Sequence, residues 1–282
     1  MNSRPLLYPT LFGFTALALS ACSVYRPTIP ALPAIQAAHE AEVKAGVDLN
    51  GFMGFTAAYS PVKYLLVSTA ASASWHSPNV EDASRQAVQR QGEVSAGAYV
   101  PLGSRTVISV QGGVGKAHSF DSQSSVDTGF LSTFPSYRKN VDLIHARTQT
   151  TFLQAGWQRD LTQKHIIGRM GVGYRLGRQA YRQYTVTTEE YNRNGDLLAR
   201  ENLAYPLPTL MRHDILAQFN FGTKLFPALQ LQLGMGLSFV PNMNRWNEDY
   251  SDLGWRVRSE CSGTYLGQAS LAFYPHLLRK AK

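Results

Sequence analysis

Leu229-Gln230-Leu231-Gln232-Leu233-Gly234-Met235-Gly236-Leu237-Ser238-Phe239 decides the fold. Every odd position is apolar and every even one is glycine, glutamine or serine. That period of two is the period of a β-strand with two unlike faces, and on a helix the same residues would scatter around the axis. The preceding stretch alternates Ile215, Ala217, Phe219, Phe221 and Leu225 with Gln218, Asn220, Gly222 and Lys224, and residues 265–273 close the series the same way.

Working back from this stretch, the same alternation predicts seven earlier strands, ten in all. They run over 43–49, 52–59, 64–75, 92–102, 105–117, 147–160 and 164–178. Asn50-Gly51 supplies a favoured two-residue hairpin turn between the first two. A soluble β-sandwich also alternates, but it puts polar residues in water. Here the polar face is rich in Gly, Ala, Ser and Gln and poor in Glu and Lys, as a narrow, crowded barrel interior requires. The longer runs, of about 9–13 residues, suit tilted strands crossing a hydrocarbon layer better than soluble strands of about five or six. The fold class predicted is therefore all-β: a closed, antiparallel, up-and-down transmembrane barrel of about ten strands, with eight as the alternative count.

Connection lengths support this topology. Short turns at 60–63, 103–104, 161–163 and 227–228 alternate with long connections at about 76–91, 118–146, 179–212 and 242–262. Membrane barrels have short turns on the periplasmic side and long loops outside, and ten strands leave both chain ends in the periplasm. Aromatic girdles are expected at Trp75, Tyr174, Phe239 and Tyr265 on the outer rim, and at Tyr59, Tyr64, Phe226 and Phe273 on the inner. In the third long connection, Asn194-Gly195-Asp196 predicts the tip of a protruding hairpin.

At the other end, Arg4 precedes an apolar run over 6–19, too short to span a bilayer as a helix and characteristic of a secretory signal. It ends in Leu19-Ser20-Ala21-Cys22, which resembles the lipobox of bacterial lipoproteins, whose cysteine is acylated and becomes the mature N-terminus. The resemblance implies a signal peptide over 1–21 and a covalent diacylglycerol and palmitate-type acyl chain on Cys22, with no other cofactor. Prolines at 27, 30 and 33 suggest an extended tether over 22–41 separating lipid from fold, with at most a helical turn at 35–41. The barrel is expected over 42–275, with a basic C-terminal tail over 276–282.

Without residues 1–21 the chain keeps 26 basic against 19 acidic residues, a net charge of +7. Those charges are spread along the sequence and the chain reads as exported, so nucleic acid is not an expected partner. With Cys22 acylated, Cys261 has no partner, which excludes a disulfide framework and a cysteine metal site.

Taken together, the chain resembles the small outer-membrane β-barrel proteins of Gram-negative bacteria, in a lipoprotein version, through residues 19–22 as a motif and 42–275 as a pattern. The resemblance implies residence in the cell outer membrane by lipid anchor and barrel. The partners it implies are outer-membrane lipids, the lipoprotein-processing and barrel-insertion machineries, and an extracellular or periplasmic protein.

Lumen charges are expected at Lys44, Asp48, Glu93, Lys116, Arg169, Arg175 and Lys224, a basic interior with Glu93 and Lys116 as the first ion pair. The function expected is structural or surface interaction, without catalysis. A narrow anion-preferring channel is the alternative. A lipid-modifying hydrolase is a third reading, with His76-Ser77 or His118-Ser119 as its residues. Adjacent strand residues point to opposite faces, however, and neither pair has a third partner. His118, His145 and His213 would be rim residues before they were a metal site. Gly112-Gly113-Val114-Gly115-Lys116 lies in a strand and leads to no helix, which excludes a phosphate loop.

Overall fold

The computed structural model describes residues 32–48, 51–75, 85–128, 137–207, 209–241 and 264–278. Cys22, Cys261 and the His76-Ser77 pair lie outside them. The strands are β1 (Ala41–Asp48), β2 (Met53–Tyr59), β3 (Leu65–Trp75), β4 (Arg85–Leu102), β5 (Thr106–Thr128), β6 (Tyr137–Asp160), β7 (Ile166–Tyr191), β8 (Leu197–Ala204), β9 (Leu210–Thr223), β10 (Leu229–Phe239) and β11 (Thr264–Phe273), followed by one helical turn, α1 (Pro275–Leu278).

Ten of these strands close a barrel. Each pairs antiparallel with the next, and β1 returns to β11 in register from Val43↔Phe273 to Asp48↔Gln268. The exception is β8. The lower part of β7 pairs with β9 from Ile166↔Thr223 to Gln179↔Leu210, while its upper part pairs with β8 from Thr185↔Ala204 to Tyr191↔Leu197. β8 is therefore the return arm of a hairpin standing above the barrel, with its tip at the expected Asn194-Gly195-Asp196. Gly195 there takes φ 86, a left-handed conformation that suits glycine.

Burial is inverted relative to a soluble protein, and this decides the membrane reading. On β10, Leu229, Leu231, Leu233, Met235 and Leu237 are exposed, Met235 at 57%, while Gln230 and Gln232 are buried at 1% and 6%. The same outward apolar row appears on the neighbours, through Val47, Phe55, Val94, Val110, Leu153, Val172, Ile215 and Leu271. A continuous apolar belt of this extent is not stable in water and matches a lipid-facing band. Tyr174 and Phe239 edge the belt on one side, and Tyr59, Tyr64, Phe226 and Phe273 edge it on the other, all exposed as a girdle requires, while the side chains of Trp75 and Tyr265 lie outside those described.

Two expectations are corrected. In their described parts the connections at 76–91, 118–146 and 179–212 are mainly strand, and the one at 242–262 lies outside the described residues. β4, β5, β6 and β7 run on through their described parts to lengths of 18, 23, 24 and 26 residues, making a sheet wall beyond the membrane. At about 3.3 Å per residue and a tilt near 40°, β7 rises roughly 65 Å, twice a hydrocarbon layer. A register shift between Arg147 and Thr148 pairs them with Gln183 and Tyr181, leaving Arg182 as the extra residue of a bulge. Beyond it the faces of β7 switch, so Tyr184 and Val186 point inward onto Ile144 and Ala146 and give the wall a small core of its own.

The second correction concerns the N-terminal tether. Its last residues are not outside the fold. Leu32, Ala34 and Ile35 are buried at 0%, 4% and 1% inside the barrel, and residues 35–41 form a bend without a helix. At the C-terminus β11 ends at Phe273, and Tyr274, 0% exposed, tucks into the barrel mouth before α1, within the expected limits of the barrel. It packs with Ala34 and Ala272, so the first residue after β11 helps to close the barrel.

Candidate functional site

The lumen is where polar chemistry is concentrated, and two groups fill it. In its half at the short-turn end lies the segment 32–36, held through its backbone. Leu32 O accepts from Lys44 Nζ (3.3 Å) and Gln218 Nε2 (3.2 Å), Pro33 O from Gln158 Nε2 (3.0 Å), and Ala34 O from an Arg169 guanidinium nitrogen (3.1 Å). Ala34 N donates to Glu42 Oε2 at 2.7 Å, and Gln36 N to Glu40 Oε2 at 2.8 Å. An irregular segment buried without sheet partners must find side-chain partners for its amides and carbonyls, and these inward glutamines and charges supply them. The Leu32 side chain sits against Gly156, Gly171 and Gly173, and a Cβ at Gly173 would lie 2.7 Å from Leu32 Cδ2. Ile35 joins Ala58, Leu66, Tyr99 and Val107 in an apolar cluster at the same end.

Above this segment a polar network crosses the lumen. Arg175 of β7 pairs with Glu93 of β4 at 2.9 Å, donates to Gln154 Oε1 of β6 at 3.1 and 3.0 Å, and lies 4.0 Å over the Phe152 ring. Ser68 and Ser95 hydroxyls meet at 2.6 Å, and Ser68 donates to Gln111 Oε1 at 2.9 Å. The space left between them is a cavity of about 20 Å³, lined by Ser68, Glu93, Gln111, Phe152, Gln154 and Arg175 among others. That is room for one water.

The predicted lumen charges divide accordingly. Lys44 is buried and pairs with Glu42. Glu93 and Arg175 form the ion pair just described. Arg169 is half-buried, with its guanidinium 5.5 Å over the Tyr274 ring. Asp48 sits at the outer rim, where its carboxylate accepts from Phe52 N at 2.9 Å and fixes the β1–β2 turn.

Lys116 and Lys224 do not face the lumen. Lys116 shares the outward parity of Val110 and Val114 and is exposed, so it cannot reach Glu93. The partner of Glu93 is Arg175. Lys224 lies just past the end of β9 on an exposed turn.

Among the described residues four buried charged groups were missed: Arg212 and Asp214 on β9, the former donating to Ser238 Oγ at 3.2 Å, Glu42 on β1 and Asp121 on β5. Continuing the even-numbered inward face of β9 from Gln218 back through Leu216 would have found the first two. Among the described residues the interior thus sets Lys44, Arg169, Arg175 and Arg212 against Glu42, Glu93, Asp121 and Asp214, and is not the basic lining expected.

His118 and His145 stand near each other on the wall, but His213 does not join them. His118 points outward while Ser119 is buried, so this pair is split across the wall. His145 packs on Phe120 with ring centroids 4.7 Å apart. Burial, His118 and Arg147 hold its pKa below the usual histidine value. His213 lies lower on the wall, bonded to the Tyr174 hydroxyl at 2.5 Å and stacked on Phe239, and it belongs to the outer girdle. Among the described residues no group of three or more His, Cys, Asp or Glu is placed to hold a metal ion.

No family model matches the chain, and no curated protein matches it. Among solved structures, LpxR from Salmonella typhimurium is similar at 8% identity and a TM-score of 0.32, over 83% of this chain and 99% of that one.

Proposed function

We propose that this chain is a lipid-anchored outer-membrane barrel that is closed to solutes, and whose β4–β8 wall serves as a surface for interaction outside the cell. The observation that carries this reading is the double filling of the lumen, by residues 32–36 below and by the Glu93–Arg175–Gln154 network above. A channel needs a continuous wet path, and a space of about 20 Å³ is not one. The anion preference expected of a basic lining also loses its basis, because the inward charges are balanced.

On this reading Cys22 carries the lipid. Ten residue steps separate it from Leu32, a reach of at most about 35 Å, so the anchor must enter a leaflet close to the barrel wall. The protein works by anchoring and presentation, without catalysis. The division of His118 and Ser119 between opposite faces supports that last point.

Planar-bilayer recording of the full chain tests the closed lumen: no stepwise conductance is expected, and steady anion-selective steps would establish the channel instead. Labelling with a radioactive fatty acid should be lost in Cys22→Ala, and label that persists refutes the anchor. A lipid-modifying role would appear as altered outer-membrane lipid profiles on deletion of the gene, where unchanged profiles are expected.

A further inference from the structure

The outer wall of β4–β7 changes character abruptly above the apolar belt. On β4 the outward row runs from Leu102 through Val100 and Val94 to Gly92 and then Arg90. On β5, Ile108, Val110 and Val114 give way to Lys116 and His118, and on β6, Leu153 gives way to Gln149 and Arg147. On β7 the bulge turns Arg182 outward, where it donates to Gln149 Oε1 at 3.1 and 2.8 Å.

Sheet register aligns these rows: Gly92 faces Lys116, Arg90 faces His118, Lys116 faces Gln149, and His118 faces Arg147. The result is a groove of about 720 Å³ on the lipid side of the barrel, lined by Arg90, Gly92, Lys116, His118, Arg147 and Arg182 among others, with no acidic residue in its lining. Among the described residues none of Arg90, Lys116 or Arg147 is paired with a carboxylate.

Height decides what such a groove meets. The twelve steps from Leu102 to Arg90 rise roughly 30 Å at the usual strand pitch and tilt, the thickness of the hydrocarbon layer. The cations of β4, β5 and β6 therefore stand near the plane where lipid headgroups begin, on the side of the tall hairpins, and Arg182 joins them from above through Gln149. We propose that this groove binds the headgroup of a multiply phosphorylated lipid in the surrounding leaflet, whose acyl chains lie down the apolar rows of Val94, Val114 and Leu153. Phosphate monoesters match a set of arginines and a lysine, which supply charge-assisted and bidentate hydrogen bonds. The apolar rows continuous with the groove favour a lipid over a free anion.

The inference rests on the membrane-barrel reading, and the test separates the two. Full-length protein in neutral detergent micelles is mixed with bisphosphorylated lipid A, and retention is read by native mass spectrometry. Wild type should retain the lipid. Arg90→Gln, Lys116→Gln, Arg147→Gln and Arg182→Gln should each weaken retention about fivefold, and all four together should abolish it.

Gly92→Leu is the second variant, because a Cβ there meets nothing closer than Ala70 O at 3.9 Å. It keeps every charge, fills the groove floor and should also lose the lipid. Equal retention by the quadruple variant, or by wild type toward the dephosphorylated lipid, overturns the proposal. So does full displacement by equimolar inorganic phosphate, which would make the site a free-anion site. Heat-modifiable migration of the same samples reports the barrel, and its loss in wild type is failure of the membrane reading alone.

Discussion

Arg175 on β7 reaches across the lumen to Glu93 on β4, 2.9 Å between guanidinium nitrogen and carboxylate oxygen, with both side chains less than one-tenth exposed. The two strands are separated along the wall by β5 and β6. The pair therefore braces the barrel from inside, where the wall's own hydrogen bonds do not act.

Removing one partner leaves a buried charge unmatched, which costs about 3–5 kcal/mol, whereas replacing both with apolar residues of similar volume is often neutral. Arg175→Ala should therefore lower stability by about that amount, measured by urea unfolding of the refolded protein in lipid vesicles. The double variant Glu93→Leu, Arg175→Met should recover most of it. Equal losses in the single and double variants would show that the pair is not the brace.

The seat of Leu32 depends on small residues opposite it. In Gly173→Ala the new methyl would lie 2.7 Å from Leu32 Cδ2, and overpacking of this kind costs about 1–3 kcal/mol. The segment can relieve that strain by leaving the lumen. Amide exchange at Ala34, whose N–H is bonded to Glu42 at 2.7 Å, should accelerate by roughly tenfold or more, with strand amides of β6 and β7 unaffected. Unchanged protection at Ala34 would contradict the packing described.

His145 stands on the wall above the membrane, facing Phe120 and His118 of β5, Arg147 on its own strand and Thr185 of β7. Its pKa is lowered from 6.5 by partial burial first, then by His118 and Arg147. The sign follows: the unfolded chain takes up this proton at higher pH than the folded one, so the histidine contributes destabilisation that grows as pH falls through 6.5 toward the folded value. An NMR titration of its imidazole should place the midpoint below 6.5, and Arg147→Gln should raise it. A midpoint at or above 6.5 would refute the placement of these cations together.

The barrel was legible in the sequence because the membrane imposes period two on both faces at once. The row from Leu229 to Phe239 reads outward at every odd position because lipid lies outside and a narrow lumen inside. The tall wall was not legible, because above the belt water lies outside and nothing forces Val141, Leu143 or His145 to alternate with polar neighbours. The buried end of the tether was hidden for another reason. Pro33 marks it as a linker, while its anchors Gln158, Arg169 and Gln218 lie more than a hundred residues away. Lys116 was assigned inward by its charge, although its parity with Val114 already placed it outside.

The account stands on residues 32–36 lying sealed inside the barrel, and the most direct measurement is the accessibility of Ala34. Ala34→Cys, in a Cys261→Ser background, should resist a membrane-impermeant maleimide in folded protein and react only after boiling, while Leu278→Cys, at an exposed position, reacts at once. Labelling of position 34 as fast as position 278 in the folded state would contradict a lumen closed by its own N-terminal segment.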